Sequence, residues 1–282
     1  MIRRVAVLGA GTMGQGIAQV VAMAGLHSVL YDVDGSALER AARQIESMVA
    51  KGVERGKLPP STTALVAERL AYESALERAI DGADCVIEAV FEDAAVKSQL
   101  FARVAEHVDD DCLLASNTSS LSITGIASGV PSPGRVAGMH FFNPVPIMPL
   151  VEVVRGLETS QVTIDRAVAL ARELGKEPIV VRDSPGFATS RLGVVIGLEA
   201  IRMLESGVGA AEDIDKAMEL GYRHPMGPLR LSDLVGLDVR LAIAEHLHRE
   251  IGEQFRPPAL LRNMVRAGRL GKKSGQGFYT WQ

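Results

Sequence analysis

Apolar residues fall along the chain in short blocks separated by stretches with helical spacing. Val5-Ala6-Val7-Leu8, bounded by Arg4 and Gly9, reads as a buried parallel strand. Ile17 to Ala24 has helical composition and stops at Gly25. Ser28-Val29-Leu30-Tyr31-Asp32 reads as a second strand ending in an acid, which completes a βαβ unit. From Ser36 to Lys51, Leu38, Ala41, Ala42, Ile45, Met48 and Val49 keep the spacing of one helix face. Leu58-Pro59-Pro60-Ser61 marks a turn, and Ser61 or Thr62 can cap a following helix through Leu65 and Val66. These two helices predict a hairpin over residues 36–70, inserted after the second strand.

Further strands are predicted over 84–90, 112–116, 136–141, 150–154 and 178–181, with helices over 96–108 and 163–174. Strands alternating with helices predict an α/β domain built on a doubly wound parallel sheet, residues 1–183. The pattern changes at Ser184-Pro185-Gly186-Phe187. Beyond it only helices are predicted, over 188–206, 211–220, 228–251 and 257–267, so residues 184–282 read as an all-α domain. Its tail is glycine-rich and basic from Leu270 to Gly277, then aromatic at Phe278, Tyr279 and Trp281.

The first predicted turn carries chemistry. Gly9-Ala10-Gly11-Thr12-Met13-Gly14 follows a strand and opens a helix, the context a dinucleotide fingerprint requires. Gly9 permits the tight turn, Gly11 lets backbone approach a pyrophosphate, and Gly14 lets helix and strand pack closely. The helix start at Thr12 and Met13 offers free N–H groups and a partial positive charge. Asp32 ends the second strand, where a carboxylate accepts bonds from ribose hydroxyls and repels a 2′-phosphate. That favours NAD over NADP. A glycine turn without a ligand and an FAD site share the same fingerprint.

His140 lies at the C-terminal end of a predicted strand, the edge where open parallel sheets bind ligands. Glu152 lies in the neighbouring strand, beyond a turn containing Pro144, Pro146 and Pro149, so imidazole and carboxylate can meet. Such a carboxylate raises imidazole basicity, as alcohol oxidation requires of its base. A structural histidine and a solvated edge-strand acid are the plainer readings. Ser116-Asn117-Thr118-Ser119-Ser120 also ends a strand at this edge. It reads either as a helix cap or as a hydroxyl that holds a substrate oxygen. Arg55 and Lys57, near the hairpin tip, read as solvated charge or as phosphate contacts. His246 and His248 point apart on one helix and make a poor metal pair, and no metal site is predicted.

Bulk properties narrow the class. Hydrophobic residues make up 47% and charged residues 23%, ordinary for a folded enzyme. A net charge of −4 gives no electrostatic reason to expect nucleic acid or an anionic membrane as partner. Cys85 and Cys112 sit in apolar runs and read as reduced core residues. Arg3 and Arg4 run straight into the first strand without a secretory h-region, and no apolar stretch approaches a membrane span. A cytoplasmic location is expected.

Taken together, these segments resemble the L-3-hydroxyacyl-CoA dehydrogenases, in particular the short bacterial 3-hydroxybutyryl-CoA type. The likeness is carried by Gly9 to Ala18, Ser116 to Leu121, His140-Phe141-Phe142-Asn143-Pro144-Val145-Pro146 and Val151-Glu152-Val153-Val154. It continues through Asp183 to Phe187, His224-Pro225-Met226-Gly227-Pro228, Val235 to Asp238 and Gly271 to Tyr279. The resemblance implies a Rossmann-type domain joined to a helical domain that forms a homodimer and contributes to substrate binding, with NAD as cofactor and an acyl-coenzyme A substrate. It implies a catalytic pair at His140 and Glu152, a substrate-binding serine at Ser119 and a substrate contact at Asn143. Cofactor contacts fall on Asp32, Glu88, Lys97 and Lys273, and Ser47 corresponds to a serine that meets coenzyme A. One position departs from the family pattern: Ser190 stands where an asparagine is credited with a bond to the substrate carbonyl region. Serine is shorter, so it acts through a water or the substrate sits differently, which leaves chain-length preference and turnover open. A dehydrogenase of a free hydroxy acid or sugar acid on the same plan is the alternative, and a non-catalytic NAD-binding protein the third reading.

Overall fold

The computed structural model describes residues 2–281. They fall into two compact units, divided between Ser184 and Pro185.

The first unit is an eight-stranded sheet with flanking helices. Its elements begin with β1 (Arg4–Leu8), α1 (Thr12–Met23), β2 (His27–Tyr31), α2 (Gly35–Glu54), α3 (Thr62–Arg69), β3 (Leu70–Glu73) and α4 (Leu76–Ile80). They continue with β4 (Cys85–Glu88), α5 (Ala94–Ala105), β5 (Leu113–Ser116), α6 (Ile123–Ala127), β6 (Val136–Phe141), β7 (Leu150–Arg155), α7 (Gln161–Glu173) and β8 (Glu177–Arg182). The strand order is β3-β2-β1-β4-β5-β6-β7-β8, so the sheet reverses its direction of growth between β1 and β4. Crevices that hold ligands form at such a switch, outside the carboxyl ends of the strands. The central strands are mostly apolar because helices cover both faces: Val5, Val7, Cys85, Ile87, Leu113 and Ala115 join residues of α1, α2 and α7 in one core.

Three features depart from the sequence expectations. First, the sheet is not wholly parallel, because β7 runs antiparallel to β6. Only residues 142–149 separate these strands, too few for the dozen or more that a parallel crossover needs. Second, β3 forms an outer strand beside β2 with only partly covered side chains. An edge strand needs no apolar run, so periodicity does not reveal it. Third, the helix expected over 228–251 is two helices, interrupted at Gly236, whose φ of +104° no helix accommodates.

The second unit is helical: α8 (Thr189–Glu205), α9 (Ala211–Gly221), α10 (Pro228–Val235), α11 (Leu237–Glu250) and α12 (Ala259–Arg266). Val194, Leu198, Leu229, Leu237, Leu247 and Leu261 form its core. The tail is pinned by a buried acid. Asp233 accepts bonds from the Phe278 and Tyr279 N–H groups and from Trp281 Nε1, each at 2.9 Å. A Cβ at Gly277 would lie 2.1 Å from that carboxylate, so a side chain there cannot coexist with the clamp. The Tyr279 hydroxyl donates to Asp215 at 2.7 Å. Among the described residues, no helix is long and apolar enough to cross a membrane.

Cys85 and Cys112 are buried free thiols. Burial pushes the Cys85 thiol well up, and Cys112 up to about 12. The folded chain should therefore give no rapid reaction with an aromatic disulfide reagent at pH 8, and two thiols per chain after unfolding. A native thiol titrating within seconds would contradict this burial.

Candidate active site

The glycine turn leaves β1 and enters α1 at the switch point. Gly9 has φ +107°, and a Cβ there would lie 2.6 Å from the Ala89 carbonyl oxygen of the adjoining strand end. A Cβ on Gly14 would lie 1.7 Å from the Gly9 carbonyl oxygen, so α1 packs against the turn only through glycine. Gly11 faces open space. The N-cap of α1 is Gly11, which has no side chain to cap it, and the first turn carries no acid. Its N–H groups, including those of Thr12 and Met13, are thereby kept for an anionic ligand.

Asp32 follows β2 and accepts from the Ala10 N–H at 2.8 Å and the Asp34 N–H at 3.0 Å. These bonds fix the carboxylate beside the turn and leave acceptor capacity on both oxygens. A cavity of about 420 Å³ is lined by Gly11, Thr12, Gln15, Asp32, Asp34 and Arg40, among others. Backbone donors at one end and a carboxylate at the other suit a dinucleotide's pyrophosphate and ribose, so these residues fit NAD.

His140 and Glu152 are direct cross-strand partners of β6 and β7. Partners in register present their side chains on the same face, and here His140 Nδ1 lies 2.7 Å from Glu152 Oε2. Glu152 is wholly buried and His140 nearly so, with the Phe142 ring 4.4 Å from the imidazole. A carboxylate only accepts, so in the neutral imidazole Nδ1 carries the shared proton and Nε2 is the unprotonated ring nitrogen. Asn117 adds a tie from β5: its Oδ1 accepts from the Phe141 N–H at 2.9 Å.

Ser119 is half-buried, and its N–H donates to Glu92 Oε1 at 3.1 Å. The same oxygen accepts from the Thr118 hydroxyl at 2.5 Å. Glu88 and Lys97 lie beneath this edge, wholly buried against each other. Lys97 Nζ is 2.5 Å from Glu88 Oε1 and 3.1 Å from Glu92 Oε2, and the Ser116 hydroxyl donates to Glu88 Oε2 at 2.7 Å. Their polar atoms are thus engaged within the protein.

A second cavity, about 410 Å³, is lined by Thr12, Gln15 and Gly16 of α1, by Arg40, Arg43, Gln44, Ser47, Met48 and Lys51 of α2, and by Asn143 to Pro146. It brings Ser47 and Asn143 together. Its basic wall is Arg40, Arg43 and Lys51, while Arg55 and Lys57 lie outside it at the exposed hairpin tip. In the helical unit, Ser190 lies in the first turn of α8, and Lys273 is paired with Asp238 at 2.5 Å. Sequence reasoning missed Glu92, Arg40 and the bond made by Asn117. Asn117 stood in a segment already singled out, whereas a lone loop glutamate carries no signal.

The family model described as "3-hydroxyacyl-CoA dehydrogenase, NAD binding domain" matches residues 4–184, and its C-terminal counterpart matches residues 186–281. The chain is 45% identical to a probable 3-hydroxybutyryl-CoA dehydrogenase of Bacillus subtilis, across 100% of this chain and 98% of the relative. It is 43% identical to 3-hydroxyadipyl-CoA dehydrogenase of Escherichia coli, across 100% of this chain and 59% of that longer protein. The crystal structure of (S)-3-hydroxybutyryl-CoA dehydrogenase from Ralstonia eutropha matches with a TM-score of 0.95 and 40% identity, covering 100% of both chains.

The glycine geometry separates two substitutions. Gly14→Ala should force α1 off the turn and lower stability by about 1–3 kcal/mol in urea unfolding. Gly11→Ala should leave the unfolding midpoint unchanged yet weaken NADH binding, read by nicotinamide fluorescence. Equal midpoints for the two variants would contradict the packing argument.

Proposed function

Since the chain belongs to the 3-hydroxyacyl-CoA dehydrogenase family with NAD as cofactor, we propose that it oxidises a short-chain L-3-hydroxyacyl-CoA reversibly to the 3-ketoacyl-CoA, with His140 as general base. The buried cross-strand pair of His140 and Glu152 carries this reading. His140 Nε2 takes the proton of the 3-hydroxyl. Glu152 holds the ring by Nδ1 and stabilises the imidazolium that results, in a place where water does not screen the pair. The Ser119 hydroxyl holds the substrate oxygen, and Asn143 contacts the thioester end. NAD, when bound, supplies the acceptor for the hydride that leaves C3. Gly9, Gly11, Gly14, Thr12, Met13 and Asp32 hold that cofactor. Glu88 and Lys97 support the loop beside it from below.

The second cavity favours a coenzyme A thioester over a free hydroxy acid. Arg40, Arg43 and Lys51 line one wall, and Ser47 lies among them. Phosphates reward such a wall, and a small free acid has none to offer it. The chain carries a serine, Ser190, at the position where the family pattern has an asparagine.

A homodimer fits the helical unit. Leu192, Leu231, Leu234, Val235 and Val239, on α8, α10 and α11, are all more than a third exposed. Exposed apolar side chains on neighbouring helices are the usual material of a subunit interface.

Purified protein should oxidise NADH with acetoacetyl-CoA and fail with free acetoacetate. Equal rates with the two substrates would favour the free-acid reading, and no turnover despite NADH binding would sink the substrate assignment. Comparing acetoacetyl-CoA with longer and with carboxylated 3-ketoacyl thioesters would fix the chain length. His140→Ala should keep NADH affinity and lose about 10²–10⁴-fold in kcat. Full activity in that variant would remove His140 as the base. Sedimentation equilibrium should give twice the 30.1 kDa chain mass, and a monomer at micromolar concentration would refute the dimer.

A further inference from the structure

We propose that Lys176 is a positioning residue for the acyl-CoA site, acting by holding the turn between β6 and β7. The inference rests on the reading that the cavity walled by this turn receives the coenzyme A thioester. Lys176 stands just after α7, before β8, and is 7% exposed. Its Nζ donates to the Val145 carbonyl at 2.6 Å and to the Met148 carbonyl at 3.0 Å.

The sequence of the turn explains why it needs this donor. Residues 144–148 make a single helical turn, in which the Ile147 and Met148 N–H groups both donate to the Pro144 carbonyl. In a continuing helix the Val145 carbonyl would receive the N–H of residue 149. That residue is Pro149, which has none. The lysine supplies the missing donor and reaches a second carbonyl as well. Burial pulls the Lys176 pKa down, and both acceptors are neutral carbonyls, so the ammonium is kept here at a solvation cost.

The turn is gripped on its other side by packing. Val145 is 2% exposed and lies against α1 so closely that a Cβ on Gly16 would be 2.9 Å from the Val145 Cβ. Held at both places, the turn presents Asn143, Pro144 and Pro146 to the cavity. His140 precedes it in the chain and Glu152 follows it. Loss of the ammonium frees two carbonyls and lets that wall drift. The turn touches the glycine-turn cavity nowhere in its lining, so the defect should be read in substrate binding and not in cofactor binding.

The test is Lys176→Met in the full chain, with acetoacetyl-CoA and NADH as probes. KM for acetoacetyl-CoA should rise about tenfold, with kcat changed less than about threefold and NADH affinity unchanged. Lys176→Arg, which keeps charged donors, should stay within about threefold of the wild-type KM. An unchanged KM in Lys176→Met, a parallel loss of NADH affinity, a fall confined to kcat, or an arginine variant as impaired as the methionine one would each overturn the proposal. If Lys176→Met fails to fold, Lys176→Gln, shorter and neutral, takes its place with the same expected split. Absence of turnover in the wild type would overturn the substrate reading itself, and this inference with it.

Discussion

A carboxylate buried without exposure, Glu152, constrains the centre of the first unit. Burying such a group is costly unless a partner meets it. Its partner, the His140 imidazole, stands opposite across the β6–β7 ladder. The pair exists only in one register, because a slip of one residue sends every side chain of the strand to the other face. Much of the surrounding sequence serves that register. Gly138 pairs with Val154, and a Cβ at 138 would sit 2.7 Å from the valine Cβ, so the close strand approach needs glycine there. Asn117 ties the end of β6 to β5, and the short, proline-rich turn leaves the two strands little freedom to slide.

The antiparallel strand also solves a problem of placement. The carboxyl edge of a parallel sheet receives the last residues of each strand, and His140 reaches it as the penultimate residue of β6. A parallel β7 would have needed an acid near its own end. Running the other way, β7 brings Glu152, its third residue, to the same edge. The reversal thus joins acid and imidazole through the shortest stretch of chain, while the glycine turn and Asp32 occupy the crevice nearer the switch between β1 and β4.

The parts of this arrangement that follow a period were legible in the sequence. The apolar blocks marked β1, β2, β4, β5 and β6, and the glycine turn was readable because its strand and helix flanked it. His140 and Glu152 were legible as a pair because their strands and intervening turn were. What escaped lacks a period. The outer strand β3 has no buried face to pattern it, and the break at Gly236 depends on a backbone angle that a helical run of apolar residues conceals. Lys176 reads as an ordinary charged residue between a helix and a strand, and nothing local says that its ammonium faces carbonyls some thirty residues earlier.

The same limit applies to Glu88 and Lys97, and there the reason is electrostatic. Sequence resemblance places both at the cofactor, and the structure buries both, with Glu92 as the third member of the group. A lysine between two acids satisfies charges that neither position could bury alone. Glu92 passes the arrangement on, since its other oxygen accepts from the Thr118 hydroxyl and the Ser119 N–H. The loop after β4, which faces the glycine turn, is therefore fastened to the loop after β5, which carries Ser119. Removing the Lys97 charge would leave Glu88 buried without its cation and would free Glu92, which is exposed, so the position of the Ser119 backbone depends on a lysine buried beneath it. Charge balance around the buried Lys97 sets where this loop stands, and no spacing rule in the sequence encodes that balance.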